Sequence, residues 1–252
     1  MTGTTAPKFL TTRAQGVATI MLNRAASLNA LDEDLRLSLL AELQQLEAAD
    51  DVGVIVLTGN GRGFCVGQDL SQAGELENCH DTVARTYNPL IAAIVRSDKP
   101  YIAAVNGAAV GAGMGLALAC DLVVMSEAAS MACAFGKMAL VPDSGVSAHL
   151  VQATGYRRAF ELATSGRKIT AQEAERYGLA THVVPVDELM NAVQALAVAV
   201  AQEPAKTLAL TKRQLRASTE VPFSVSLEQE ALSQGVAGAT PEHAARRAAF
   251  LS

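Results

Sequence analysis

Residues 101–121, YIAAVNGAAVGAGMGLALACD, decide how the rest of the chain is read. An apolar run from Tyr101 to Val105 meets Asn106 and Gly107. Glycines recur at 111, 113 and 115 before the segment closes on Cys120 and Asp121. The pattern predicts a buried strand, a tight turn and a helix opening near Gly111 and Ala112. The first backbone N–H groups of a helix lack intrahelical partners and lie at the positive end of its dipole, so such a start stabilises an anion. Glycine spacing alone also fits close helix packing, and taken by itself favours that reading.

A second segment changes the balance. Gly61 to Leu70, GRGFCVGQDL, follows the strand-like run Val52 to Thr58 and again brings bare backbone to a turn. N–H donors from two separate turns can converge on one oxygen, the arrangement that an oxyanion hole requires.

On these two segments the chain resembles the crotonase superfamily, also called the enoyl-CoA hydratase/isomerase family. The family pattern of an aromatic, two small residues and Gly-x-Asp is matched by Phe64, Cys65, Val66, Gly67, Gln68 and Asp69. Its Gly-rich turn ending in Cys-Asp is matched by Gly107 through Asp121. Carried over position by position, the resemblance implies that the N–H groups of Val66 and Ala112 hold a thioester carbonyl. It places Gly67, Gln68, Asp69, Leu70 and Gly111 around the acyl-CoA. The segment Asn23 to Leu31 matches the family's N-R-x-x-x-x-N-A-L, which implies that Arg24, Asn29, Ala30 and Leu31 lie along the adenosine end of coenzyme A. Arg24 either faces the CoA phosphates or is a solvated loop arginine.

The implied fold is an α/β spiral of strand-strand-helix turns over residues 1–190, followed by a helical C-terminal trimerisation region over 191–252. The implied assembly is a homotrimer or a dimer of trimers. The partner is an acyl-CoA thioester, with no metal and no cofactor apart from the coenzyme A of the substrate itself.

An oxyanion hole needs a proton carrier beside it. Family hydratases use two glutamates, whose positions fall here on Gly115 and Phe135; neither residue titrates. Asp143, in LVPDSG at 140–145, remains. On the residues alone it is as well read as a helix cap as an acid/base group. The P-D-S-G turn resembles the phenylacetate-pathway branch of the superfamily, whose single aspartate shuttles a proton within a bound CoA ester. The resemblance implies either movement of a 3,4 double bond into conjugation at 2,3, or rearrangement of ring-1,2-epoxyphenylacetyl-CoA to an oxepin. Apolar neighbours Phe135, Met138, Leu140 and Val141 would raise the Asp143 pKa.

Two alternatives stay open: a hydratase in which Asp143 positions water, and a non-catalytic CoA-binding scaffold. A dehalogenase is excluded, because its tryptophan has no counterpart in a chain without Trp. After Gly145 the sequence Val146-Ser147-Ala148-His149 departs from the branch and leaves the acyl group open. His149 reads as a core or surface histidine, and His80 as a solvated loop residue.

Composition sets the outer bounds. The 252 residues are half hydrophobic, 18% charged and carry net charge −5, which argues against a nucleic-acid partner. Cys65, Cys79, Cys120 and Cys133 show no C-x-x-C spacing and read as reduced thiols. Residues 101–119 approach membrane-spanning length, but Asn106 and the glycines make them a core segment, with no membrane partner. With no basic-then-apolar leader at the N-terminus, the expected location is cytoplasmic.

Periodicity predicts the remaining elements. A hairpin covers 8–13 and 16–22, and a helix over 32–49 is capped by Asp32, with Leu35, Leu39, Leu40, Leu43 and Leu46 on one face. A helix covers 82–96, and strands 121–126 and 130–135. Helices follow at 156–165 and 170–177, with a strand at 183–184. Beyond it only helices are expected, over 188–201, 205–217, 226–236 and 241–250.

Overall fold

In the computed structural model, which describes residues 6–72, 74 and 77–251, a strand-strand-helix unit recurs along the chain. The hairpin β1 (Phe9–Ala14) and β2 (Val17–Leu22) opens it, followed by α1 (Glu33–Ala48). Each later turn places one strand in a large sheet and the next in a small one. These pairs are β3 (Val54–Gly59) with β4 (Gly63–Cys65), β5 (Tyr101–Val105) with β6 (Ala108–Val110), and β7 (Leu122–Ser126) with β8 (Ser130–Ala132). Among the described residues the large sheet has six strands in the order β1-β2-β3-β5-β7-β10, parallel from β2 onward, with β10 at His182–Val184. The small sheet runs β4-β6-β8-β9, where β9 is Ile169–Thr170.

The large sheet is covered on both faces, which explains why β3 and β5 are buried throughout and largely apolar. On one side α1 buries Leu35, Leu39, Leu43 and Leu46, each contributing about 1.5–3 kcal/mol of burial. Asp32 caps this helix as expected, its Oδ1 accepting from Leu35 N at 2.8 Å. On the other side α7 (Leu189–Ala201) packs Leu189, Val193 and Ala197 against Val17, Val54, Val56, Ile102, Ala104 and Val124. The cover of the sheet thus extends to about Ala201, past the 190/191 boundary drawn from sequence.

Three further features differ from the sequence reading. The helix expected over 82–96 is a longer helical run made of α2 (Cys79–Thr82), a π-turn (Val83–Tyr87) and α3 (Asn88–Arg96). Of the polar stretch preceding it, residues 73, 75 and 76 lie outside the described residues. The strand expected over 130–135 ends at Ala132, whose carbonyl accepts the last ladder bond from Gly111 N at 3.0 Å; Phe135 belongs to a 3-10 turn, Phe135–Met138. The helix expected from Tyr156 begins earlier: α5 (Val146–Ser165) is broken at Gly155, where φ is 71°.

Between these elements lie α4 (Ala112–Ala119) and α6 (Ala171–Arg176), the latter with the capping box of Thr170 and Glu173. After β10 the described chain is helical: α7, then α8 (Ala205–Ala217), α9 (Phe223–Gly238) and α10 (Pro241–Leu251). Lys212 ties α8 to the core, donating to Ile94 O at 3.0 Å and Lys99 O at 2.9 Å and pairing with Asp121 at 2.8 Å. No helix among the described residues is long and apolar enough to cross a membrane.

Candidate active site

A largely apolar cavity of about 540 Å³ lies where the start of α4, the 66–70 segment, the 79–88 helical run and the 134–143 segment meet. Val66, Gln68, Leu70, Gly111, Ala112, Phe135 and Asp143, all anticipated from sequence, line it. Asp143 is the only carboxylate among the described lining residues.

Ala112 is the first residue of α4, and its N–H donates to no group among the described residues. The neighbouring Gly111 N–H is already committed to Ala132 O, so the helix start is held while the next amide is left for a ligand. The 66–69 segment lies directly against this start. Gly67 has φ +85°, and a Cβ there would come 2.8 Å from Val110 O and 3.1 Å from Ala112 N. Only glycine permits that approach together with that backbone conformation.

The amides of this segment do not all face one way. Val66 N–H, anticipated as the first donor, is engaged with Leu28 O at 3.2 Å. Leu31 N–H donates to Gly67 O at 2.7 Å, and Asp69 N–H donates to Leu31 O at 3.1 Å. In a trans peptide the N–H points opposite to the C=O. The Gly67–Gln68 peptide, with its carbonyl toward Leu31, therefore directs the Gln68 N–H away from Leu31.

Several residues that the resemblance placed along coenzyme A are engaged elsewhere. Arg24 donates to Asp69 Oδ2 at 2.8 Å and to Ala30 O, and lies 3.3 Å from Asp32. Its charge is met by carboxylates, so it works as a clamp between the 24–32 loop and the 66–69 segment. Asn29 is fully buried; its Nδ2 donates to Gly63 O at 2.8 Å and Asn60 O at 3.1 Å, and its Oδ1 accepts from Arg24 N. Ala30 and Leu31 are buried, and Leu31 acts through its backbone. Asp69 is buried, and hydrogen bonds from Ser71, with Arg24 beside it, hold its carboxyl below the usual range. These residues shape the donor segment from behind, and none of Arg24, Asn29, Ala30, Leu31, Gly67 or Asp69 lines the cavity.

Gly115 also acts by absence of a side chain. A Cβ there would come 2.6 Å from Ser144 O and 2.7 Å from Ser144 Cβ. The 143–146 turn thus occupies the space next to the helix where a glutamate would begin. Phe135, the other glutamate position, is buried and lines the cavity with its ring edge close to Gly111.

Asp143 sits in a turn whose next residues, Ser144 and Gly145, both have positive φ, 51° and 76°. Burial pushes its carboxyl pKa up from the ordinary value, opposed by a hydrogen bond that Ser144 Oγ donates to Oδ1 at 2.8 Å. The upward direction agrees with expectation, although Met138, Leu140 and Val141 line the cavity while remaining exposed. His149 N–H bonds Gly145 O within α5, and its ring lies behind the Asp143 turn, where burial holds its pKa down. His80 is 88% exposed at the cavity rim and pairs with Asp81 at 3.0 Å, in keeping with the solvated reading.

Sequence reasoning missed the wall formed by Cys79, Thr82, Val83, Ala84, Tyr87 and Asn88. Tyr87 is 3% exposed, and its hydroxyl lies 2.6 Å from Gln68 Oε1. A helical period placed it on the helix, but nothing in the local sequence signals the π-turn that sets its direction. Buried Cys65 and Cys133 carry thiols pushed up to about 12 and about 11, which suits inert packing residues; none of the four cysteines is in a disulfide. No group of three or more His, Cys, Asp or Glu among the described residues could hold a metal ion.

A two-sheet α/β spiral with backbone amides beside a carboxylate in an apolar cavity defines a protein built to act on a carbonyl compound. The family model for enoyl-CoA hydratase/isomerase matches residues 12–251, and the chain belongs to that family, the crotonase superfamily. It is 35% identical over 243 residues to the 1,2-epoxyphenylacetyl-CoA isomerase of Escherichia coli K12, covering 94% of this chain and 93% of the relative. It is also 35% identical to the 2,3-dehydroadipyl-CoA hydratase of the same organism, covering 97% and 95%. The crystal structure of an enoyl-CoA hydratase from Bacillus anthracis superposes with a TM-score of 0.93 at 30% identity, covering 97% of this chain and 96% of that one. Acyl-CoA hydratase/isomerase activity follows from the family; the names of the relatives include both reaction types.

Proposed function

We propose that the protein is an intramolecular acyl-CoA isomerase with one proton carrier, Asp143. The carrying observation is that Asp143 is the sole carboxylate among the described residues of the cavity, while Gly115 and Phe135 stand where two glutamates would be. The Ala112 amide and the Gln68 amide, turned away from Leu31 beside it, supply the oxyanion hole; this reading replaces Val66, whose amide is engaged.

Asp143 removes the α-proton of a 3-enoyl-CoA, the two amides stabilise the dienolate oxygen, and the same carboxyl returns the proton at the γ-carbon. The product is the conjugated 2-enoyl-CoA. Atoms and charge balance without a redox partner or metal, and the coenzyme A belongs to the substrate. A raised Asp143 pKa brings base and acid forms closer to balance near neutral pH. The likeness to an epoxyphenylacetyl-CoA isomerase supports ring-1,2-epoxyphenylacetyl-CoA, rearranged to the oxepin, as the alternative substrate.

A second reading, hydratase activity with Asp143 positioning water, draws on the hydratases among the relatives. Supplying 3-enoyl-CoA and 2-enoyl-CoA separately distinguishes the two. Isomerisation is expected to exceed water addition; dominant 3-hydroxyacyl-CoA formation from the 2-enoyl ester would overturn the isomerase reading. Binding of both esters without turnover of either, or of the ring-epoxide, would favour the non-catalytic scaffold. We further propose that a homotrimer, or a dimer of trimers, covers the exposed Phe223, Leu232 and Phe250 of α9 and α10.

A further inference from the structure

Behind the donor segment lies a buried polar cluster that the reaction as described does not use. Arg36, on α1, is 1% exposed. Its Nη1 donates to Leu31 O at 2.8 Å, to Gln68 Oε1 at 3.3 Å and to Tyr87 Oη at 3.2 Å. Its Nε donates to Thr86 Oγ1 at 2.8 Å, and its guanidinium carbon stands 4.5 Å from the centre of the Tyr87 ring. Thr86 Oγ1 in turn donates to Thr82 O at 2.6 Å. The π-turn Val83–Tyr87 is what allows adjacent residues 86 and 87 both to meet Arg36; such insertions in helices are frequently functional.

Arg36 and Tyr87 reach one peptide by two routes. The first is Leu31 O, which also accepts from Asp69 N–H. The second is the Gln68 side chain, whose Oε1 accepts from Tyr87 Oη at 2.6 Å and from Arg36. Two donors on Oε1 fix which end of the amide faces the cluster. Burial raises the Tyr87 pKa, so its hydroxyl stays protonated and remains a donor across the physiological range.

We propose that Tyr87 and Arg36 are positioning residues for the reaction: through the side chain of Gln68 they lock the orientation of the Gln68 backbone amide toward the substrate carbonyl. The inference rests on the oxyanion-hole reading above. A donor that must meet a developing oxyanion gains from being held before the reaction, since reorienting it would otherwise cost part of the barrier. Loss of the lock therefore lowers kcat and the polarisation of a bound carbonyl, and leaves ground-state binding of the coenzyme A ester nearly intact.

The test combines Tyr87→Phe, Gln68→Leu and the double variant with a spectroscopic readout. Turnover of a 3-enoyl-CoA is measured for each. The infrared C=O stretch of a saturated acyl-CoA, 13C-labelled at the thioester carbon, is recorded free and bound.

Wild type should show a bound carbonyl shifted to lower frequency. Tyr87→Phe should lose about fivefold in kcat, the effect of a hydrogen bond of order 1 kcal/mol, with KM within about twofold and a smaller carbonyl shift. In the Gln68→Leu background, adding Tyr87→Phe should change kcat by less than about twofold, because the path runs through Gln68. Arg36→Lys, which keeps the charge and loses the fork, should reproduce the smaller shift.

If Tyr87→Phe keeps the wild-type kcat and carbonyl shift, or if its effect is the same with and without Gln68, the positioning role is overturned. No carbonyl shift in the wild type would instead sink the oxyanion-hole reading. A melting temperature for each variant separates loss of fold from loss of alignment.

Discussion

Asp143 is where the chemistry and the stability of the molecule pull in opposite directions. Burial raises its pKa, so the native state holds a proton at pH values where the unfolded chain has released it. Stability therefore falls as pH rises from the ordinary carboxylate value through the raised one, and the deficit persists above it. Asp143→Asn removes that deficit and keeps an oxygen for the Ser144 hydroxyl. The variant is expected to melt at a higher temperature than wild type at pH 7, with the gap closing in acid, as read by thermal denaturation across pH. Activity should move the other way. Proton abstraction needs the carboxylate, so kcat is expected to rise with pH through a value above the ordinary carboxylate range; a flat profile from pH 4 to 8 would contradict this.

At the scale of elements, glycines decide how closely α4 meets its neighbours. Gly115→Ala brings a methyl into the Ser144 backbone, and overpacking of this kind costs about 1–3 kcal/mol. Both denaturant stability and turnover are expected to fall, since the displaced turn carries Asp143. Gly115→Glu should likewise fail to create a two-glutamate hydratase, which a water-addition assay reads directly.

The glycine-bearing turns, the capped helix at Asp32, the capping box at Thr170 and the helix opening at Ala112 were legible in the sequence, because each depends on local residues. The direction of the amides in 66–69 was not. It is set by Leu31, more than thirty residues away, whose backbone takes the Gly67 carbonyl and the Asp69 amide and leaves Gln68 facing outward. The partner of Arg24 in this segment, Asp69, comes within reach only when the 66–69 segment packs against the 24–32 loop. Phe135 and Asp143 were legible as cavity residues, whereas the wall from 79 to 88 depends on a π-turn without a local signature.

For the whole molecule, α8 is joined to the spiral by a buried link at Lys212 and more exposed pairs at Arg213 and Arg216. Lys212→Ala removes one of the two cations on Asp121, which keeps Arg216 at 2.8 Å, and is expected to cost roughly 1–3 kcal/mol through the buried charged hydrogen bonds lost to the Ile94 and Lys99 carbonyls. Chemical denaturation of the variant measures it. The exposed Phe223, Leu232, Phe250 and Leu251 lie on the outer helices, which fits the trimer proposed above. Sedimentation equilibrium should return three chains or a multiple; a monomer at micromolar concentration would contradict it.

The central claim is that one aspartate moves the proton. Its most direct measurement is the rate of conversion of a 3-enoyl-CoA to the conjugated 2-enoyl ester, followed by ultraviolet absorbance, for wild type and Asp143→Asn in parallel. The account predicts turnover by wild type and a loss of at least about a hundredfold in the variant, with CoA-ester binding retained. Equal rates in the two proteins would contradict it and move the proton carrier elsewhere in the cavity.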